Sequence, residues 1–234
     1  MEVIKNKLEL SQNDKLNSLR AAVLGANDGI VSTAGLIFGV AGATNNKGAI
    51  FTAGLAGLIA GAISMGLGEF VSVSTQRDSE RAYIEKEKRL IRENPQAELE
   101  DLAQTFVKKG VSHKTALQFA KEITAHDPIK AHLEFELKLN EEDLTNPITA
   151  AVSSLFAFTS GALIPLLAAV LSPDHTRIKI TLLAVLAGLL LTGYYSAKFG
   201  GAGKKAAILR VVAGGILGMG ITYFIGHLFG TAVS

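Results

Sequence analysis

AIFTAGLAGLIAGAISMGLGEFV, residues 49–71, runs without a break into SVSTQRDSERAYIEKEKRLIRE, residues 72–93, and this junction decides the fold. The first part meets the length rule for a helix crossing hydrocarbon, about 20 mostly apolar residues. The second is charged throughout, yet no Gly or Pro stops a helix after Val71. The sequence therefore predicts one long helix that leaves a membrane and continues into the cytosol.

Four further stretches meet the same rule, from Leu19 to Ala43, Pro147 to Leu171, Ile178 to Ala197 and Ala206 to Phe229. The expected fold class is an all-α membrane protein with five transmembrane helices and a helical insert between helices 2 and 3. Lys5, Lys7, Lys15 and Arg20 precede the first span, a basic-rich block follows the second, and Lys198, Lys204 and Lys205 separate the fourth from the fifth. The opposite sides carry only Lys47, then Arg177 and Lys179. By the positive-inside rule the N-terminus and the insert are cytosolic and the C-terminus lies outside. The expected organisation is residues 1–18 as an N-terminal segment, 19–76 as spans 1 and 2, 77–146 as the insert and 147–234 as spans 3 to 5. The polar N-terminus has no apolar core of the signal-peptide kind, so the first span is expected to do the targeting.

Composition agrees with this division. Hydrophobic residues make up 48% of the 234, with 24 Gly and a mean hydropathy of +0.32. Of the 21 acidic and 23 basic residues, 15 and 12 fall between Gln76 and Asn146, which concentrates charge in one block. A net charge of +2 without a basic stripe gives no nucleic-acid surface. The absence of Cys excludes disulfides, thiolate metal sites and cysteine nucleophiles. No nucleophile elbow, phosphate-cradling Gly loop or HExxH motif is present, so the chain does not read as an enzyme. Gly25 with Gly29, Gly35 with Gly39, Gly57 with Gly61 and Gly214 with Gly218 are small residues four apart, the spacing that lets helices approach closely in lipid.

The insert is punctuated by caps. Asn94 with Pro95, Ser112, Asp127 with Pro128, and Asn146 with Pro147 each start a helix. Gly110 closes the first of these, and the one begun at Pro128 is expected to run to about Leu139.

Asp28 and Glu69 lie inside apolar spans. A carboxylate at membrane depth costs at least about 2.5 kcal/mol on insertion scales and normally faces a bundle interior or a water-filled path. Asp28 falls about eight residues beyond Arg20, roughly 12 Å in from the cytosolic side at ~1.5 Å per residue. Met65 precedes Glu69 by four residues and shares its helix face. A thioether beside carboxylates favours a transition metal such as Fe²⁺ over Mg²⁺ or Ca²⁺, although Met65 alone fits gap-filling in a bundle equally well.

The segments LGANDGIVSTAGLIFGVAGA around Asp28, GAISMGLGEFVSVSTQRD around Met65 and Glu69, and AHDPIKAHLEFEL in the insert carry a resemblance. On them the chain resembles the vacuolar iron transporter family of divalent-metal exporters, over nearly its whole length. The resemblance implies a homodimer that moves Fe²⁺ or Mn²⁺ out of the cytosol in exchange for protons, with no permanent cofactor and a metal-binding insert. It carries the membrane sites onto Asp28, Met65 and Glu69. In the insert the family pairs carboxylates three apart. Glu87 matches one such position, but its partner is Leu90. Glu98 and Asp101 match a second pair, and His132 with Glu136 stands where the family places methionines ahead of a Glu. The compact chain looks most like bacterial members, which implies an inner membrane; a vacuole or other endomembrane is the alternative.

Without that resemblance, Glu98 with Asp101, Glu122 with His126 and His132 with Glu136 also fit solvated helix faces. Acids crowd at Glu85 and Glu87, at Glu98, Glu100 and Asp101, and at Glu141, Glu142 and Asp143, a repulsion that a bound cation relieves. Only four-residue Glu-to-His spacings occur, which disfavours ferritin-like di-iron chemistry. Two other readings fit the same residues: a proton-uncoupled channel, and a membrane-anchored metal sensor or buffer.

Overall fold

The computed structural model of the protein describes residues 12–138, 146–201 and 203–233. Expectations placed on Lys5 and Lys7, and on Glu141, Glu142 and Asp143, lie outside the described residues. Among those described, the regular structure is helical, with no strand. The helices are α1 (Gln12–Ala43), α2 (Lys47–Glu93), α3 (Pro95–Val107), α4 (His113–Thr124), α5 (Pro128–His132), α6 (Pro147–Leu171), α7 (Arg177–Gly200) and α8 (Lys204–Val233). Five of them, α1, α2, α6, α7 and α8, are long and apolar enough to cross a membrane. The unbroken helix expected across Val71 is found as α2.

The chain divides into two compact units, one holding the described residues up to Val71 and from Pro147 onward, the other those from Ser72 to Asn146. In the first unit α1 is central, packing on α6, α7 and α8. Its core has two parts. Phe158 and Leu166 of α6 meet Ile37 of α1 and Leu58 of α2, while Ile30 and Phe38 of α1 meet Val185 and Leu189 of α7 and Met219 of α8. Long apolar side chains such as Leu183, Leu217, Phe224 and Phe229 stay exposed. In water that surface would drive association, and in a bilayer it is solvated by acyl chains.

Glycine sets the closest approaches. A Cβ on Gly29 would lie 2.1 Å from the carbonyl oxygen of Phe158, and one on Gly161 the same distance from that of Ala26, so α1 and α6 touch backbone to backbone. Of the expected glycine pairs, Gly25 with Gly29 makes such a contact, whereas Gly57 and Gly61 meet the side chains of Leu36 and Phe158. The pair Gly214 and Gly218 does not: a Cβ on Gly214 would meet open space, and α8 instead approaches α1 at Gly226, against Gly39. Spacing identifies small residues without saying which face of the helix they occupy.

In the second unit, Leu102, Ala103, Ala116, Ala120 and Ala131 form a small core, bordered by the rings of Phe106, Phe119 and Phe135. The hydroxyl of Ser112 accepts from the Thr115 N–H and the Asp127 carboxylate from the Lys130 N–H, capping α4 and α5. Gly110, at φ +94°, follows α3 as its expected stop. The helix begun at Pro128 differs from expectation. After α5 it widens into a π-helical turn, Leu133–Leu137, and Lys138 at φ 54° ends it in the left-handed region.

Candidate metal centre

The second unit builds its site from three separate helices. Glu87 comes from the end of α2, Glu98 from the first turn of α3, and His132 closes α5. Glu98 points inward because Leu102, one turn later on the same face, is wholly buried in the core. The three residues are 6%, 8% and 1% exposed, and one ligand atom from each lies within 4.8 Å of the others. Among the described residues this is the one set of three or more His, Asp or Glu side chains that converges in this way.

His132 turns Nδ1 towards two carboxylates, 2.8 Å from Glu87 Oε1 and 3.1 Å from Glu136 Oε2. Glu136 is a residue of the π-helical turn, and the same ring nitrogen is thus shared between it and Glu87, its role as donor or acceptor following the tautomer. Glu87 Oε1 is left as a buried carboxylate oxygen with no hydrogen bond of good geometry. Burial raises the Glu87 carboxyl above its ordinary range, and Glu136 adds to the rise while His132 opposes it. Glu98 is raised too, first by burial and then by Glu87, again against His132. Carboxylate oxygens and one imidazole around an under-bonded buried oxygen suit a divalent transition metal.

The remaining expected residues lie apart from this centre. Asp101 is exposed on α3 and reaches Glu98 only through its charge. Leu90, where the resemblance loses a carboxylate, supplies no ligand atom. Glu122 accepts from Gln118, and both it and His126 are exposed. Glu100 is held below the ordinary carboxylate range by hydrogen bonds from Gln104 and His113, a surface pair that helix spacing could not reveal because it joins α3 to the start of α4.

In the first unit, Met65 packs against the Phe158 cluster, and Glu69, one turn on, is half-buried. Asp28 was expected to face an interior. It lies instead on an outward face of α1, in an exposed stripe with Leu24, Ser32 and Leu36. The reason is geometric: Gly25 and Gly29 take the face against α6, which turns position 28 away.

Five helices long and apolar enough to cross a membrane accompany a buried set of carboxylates and an imidazole of the kind that could hold a metal ion. The chain belongs to the VIT family, which it matches over residues 19–227. It is 38% identical over 217 residues to a vacuolar iron transporter of Acanthamoeba castellanii, covering 90% of this chain and 78% of that one. It is 36% identical over 228 residues to vacuolar iron transporter homolog 2.1 of Arabidopsis thaliana, covering 97% and 88%. Against vacuolar iron transporter homolog 1 of rice, Oryza sativa subsp. japonica, identity is 37% over 213 residues, covering 91% and 74%. The family is one of transporters and not of enzymes.

Proposed function

We propose that this chain carries a divalent transition metal, Fe²⁺ or Mn²⁺, out of the cytosol in exchange for protons. The observation that supports the reading best is the buried Glu87, Glu98 and His132 set with Glu136 behind it. Three carboxylates around one imidazole leave negative charge uncompensated, and burying an unpaired charge is costly unless a cation arrives. As the ion's own carrier site, this centre collects metal in the cytosol, where the charge asymmetry of the loops puts the second unit. Glu69 and Met65 then take the ion, and Asp28 holds it further along. Metal and protons compete for the same carboxylates, so loading expels protons and release restores them.

The outward position of Asp28 supports a homodimer. A carboxylate exposed to hydrocarbon is costly, and a second copy seated on the same stripe would enclose it. The membrane is one whose cytosolic face carries the N-terminus, the inner membrane in a bacterium. The relatives above are named vacuolar, which fits the endomembrane alternative. The test is metal flux into proteoliposomes under an imposed pH gradient. Asp28→Asn and Glu69→Gln are expected to abolish gradient-driven accumulation, and flux at the parent rate would refute the mechanism.

A membrane-anchored sensor or buffer is the second reading. It is favoured by the fact that the one converged ligand set lies in the second unit, among the described residues. Deleting residues 78–143 separates the two, since a transporter keeps some flux and a sensor loses every metal response.

A further inference from the structure

We infer that Arg177 is the latch that holds the bundle shut at the end opposite the cytosolic face. This rests on the transport reading only for the purpose of the latch; the closure itself is independent of it. Arg177 opens α7 and is 4% exposed, although an arginine at a membrane boundary ordinarily snorkels into water. Its guanidinium is spread over three segments of chain. Nε donates to the carbonyl of Ala169 in the last turn of α6, at 3.1 Å, and one terminal nitrogen donates to the carbonyl of Asn45 between α1 and α2, at 3.5 Å. The other donates to the carboxylate of Asp174, itself 78% exposed. One cation thus ties the start of α7 to the last turn of α6, to the α1–α2 connection and to the α6–α7 connection.

The surroundings show why these bonds matter. Ile37, Phe38 and Ala41 of α1 and Ile178 and Thr181 of α7 line the space beneath Arg177, and the hydroxyl of Thr181 is buried without a hydrogen-bond partner. Apolar walls alone give no directional hold. Arg177 supplies side-chain hydrogen bonds from α7 to α6 and to the α1–α2 connection at this end, and a guanidinium also suits the negative C-terminal end of α6. Opening a passage between α1, α6 and α7 at this end requires the guanidinium to give up Asn45, Ala169 or both. Asp174, bonded to Arg177 from the solvent side, holds the guanidinium over those carbonyls.

The chain has no Cys, so one introduced thiol reports without background. The probe is Thr181→Cys in the full-length protein in micelles, titrated with a charged maleimide, with His175→Cys at the exposed start of the same end as reference. With Arg177 intact, the Cys at 181 is expected to react at least about tenfold slower than the reference, because labelling needs a local opening. Arg177→Gln should bring it to within about threefold of the reference, and Asp174→Asn part of the way. Fast labelling with Arg177 intact, or slow labelling in both variants, overturns the latch. Should Arg177→Gln fail to fold, Asp174→Asn decides alone. Flux through the same variants is measured separately, so a labelling change in a chain that moves no metal sinks the transport reading and leaves the latch standing.

Discussion

Glu87 Oε1 and His132 Nδ1 lie 2.8 Å apart, and the same nitrogen lies 3.1 Å from Glu136 Oε2, so one imidazole nitrogen is shared between two carboxylates. Buried carboxylates crowded around one imidazole repel each other, and on the proposed function a bound cation relieves that repulsion.

Removing a ligand should therefore weaken metal binding while sparing the fold. Glu87→Gln and Glu98→Gln keep side-chain volume and lose the charge, so Mn²⁺ or Co²⁺ titrations of the full-length protein should show affinity falling by at least about tenfold. Glu136→Gln, which alters the partner of Nδ1, is expected to cost about 10–100-fold. Asp101→Asn, at an exposed position, should change affinity little. Equal losses at all four positions would mean diffuse surface binding.

The raised carboxyls fix how stability follows pH. Glu87 and Glu98 titrate higher when folded than when unfolded, so between those two values the folded chain holds more protons. Stability without metal then falls as pH rises from the ordinary carboxylate range through the raised value, and it stays low above it. Melting curves from pH 4 to 8 should show this decline in the parent. Glu98→Gln should flatten it, and saturating Mn²⁺ should offset it at neutral pH. A parent slope unchanged by Glu98→Gln would remove the buried carboxyl as its source.

Much of the architecture was legible because membrane spans are a matter of length and composition, and because Ser112, Asp127 and Gly110 act locally. Where a side chain points is a different kind of fact. The i, i+3 pair Glu98 and Asp101 looked like one unit, but only Glu98 shares the face of Leu102. Likewise His132 and Glu136 could be paired from sequence, whereas Glu87 joins them only through tertiary packing. The π-helical turn has no signature in LEFEL, and Arg177 read as a flanking charge until its carbonyl partners were in place.

The glycine contacts make a graded prediction about the bundle. Gly29→Ala and Gly161→Ala each push a methyl group into a facing carbonyl, an overpacking that should cost about 1–3 kcal/mol. Gly214→Ala faces open space and should stay within about 0.5 kcal/mol of the parent. Thermal melting in one detergent ranks the three. A larger loss at Gly214 than at Gly29 would mean that α8 has a neighbour on that face.

That last outcome bears on the homodimer, which has its own test in the stripe of Leu24, Asp28, Ser32 and Leu36. Two copies meeting along α1 would bring the two Ser32 positions close to each other, and a disulfide needs Cα atoms about 4.4–6.8 Å apart. Ser32→Cys in this Cys-free chain should yield a cross-linked dimer on mild oxidation in membranes, whereas Ile221→Cys, exposed on α8, should not. Asp28→Leu removes the reason to enclose a carboxylate without removing the apolar stripe. If the dimer is held by that stripe, cross-linking through Ser32→Cys should persist in Asp28→Leu while metal flux is lost. Monomer alone in the parent background would leave Asp28 facing hydrocarbon, and the carrier role assigned to it would have to be given up.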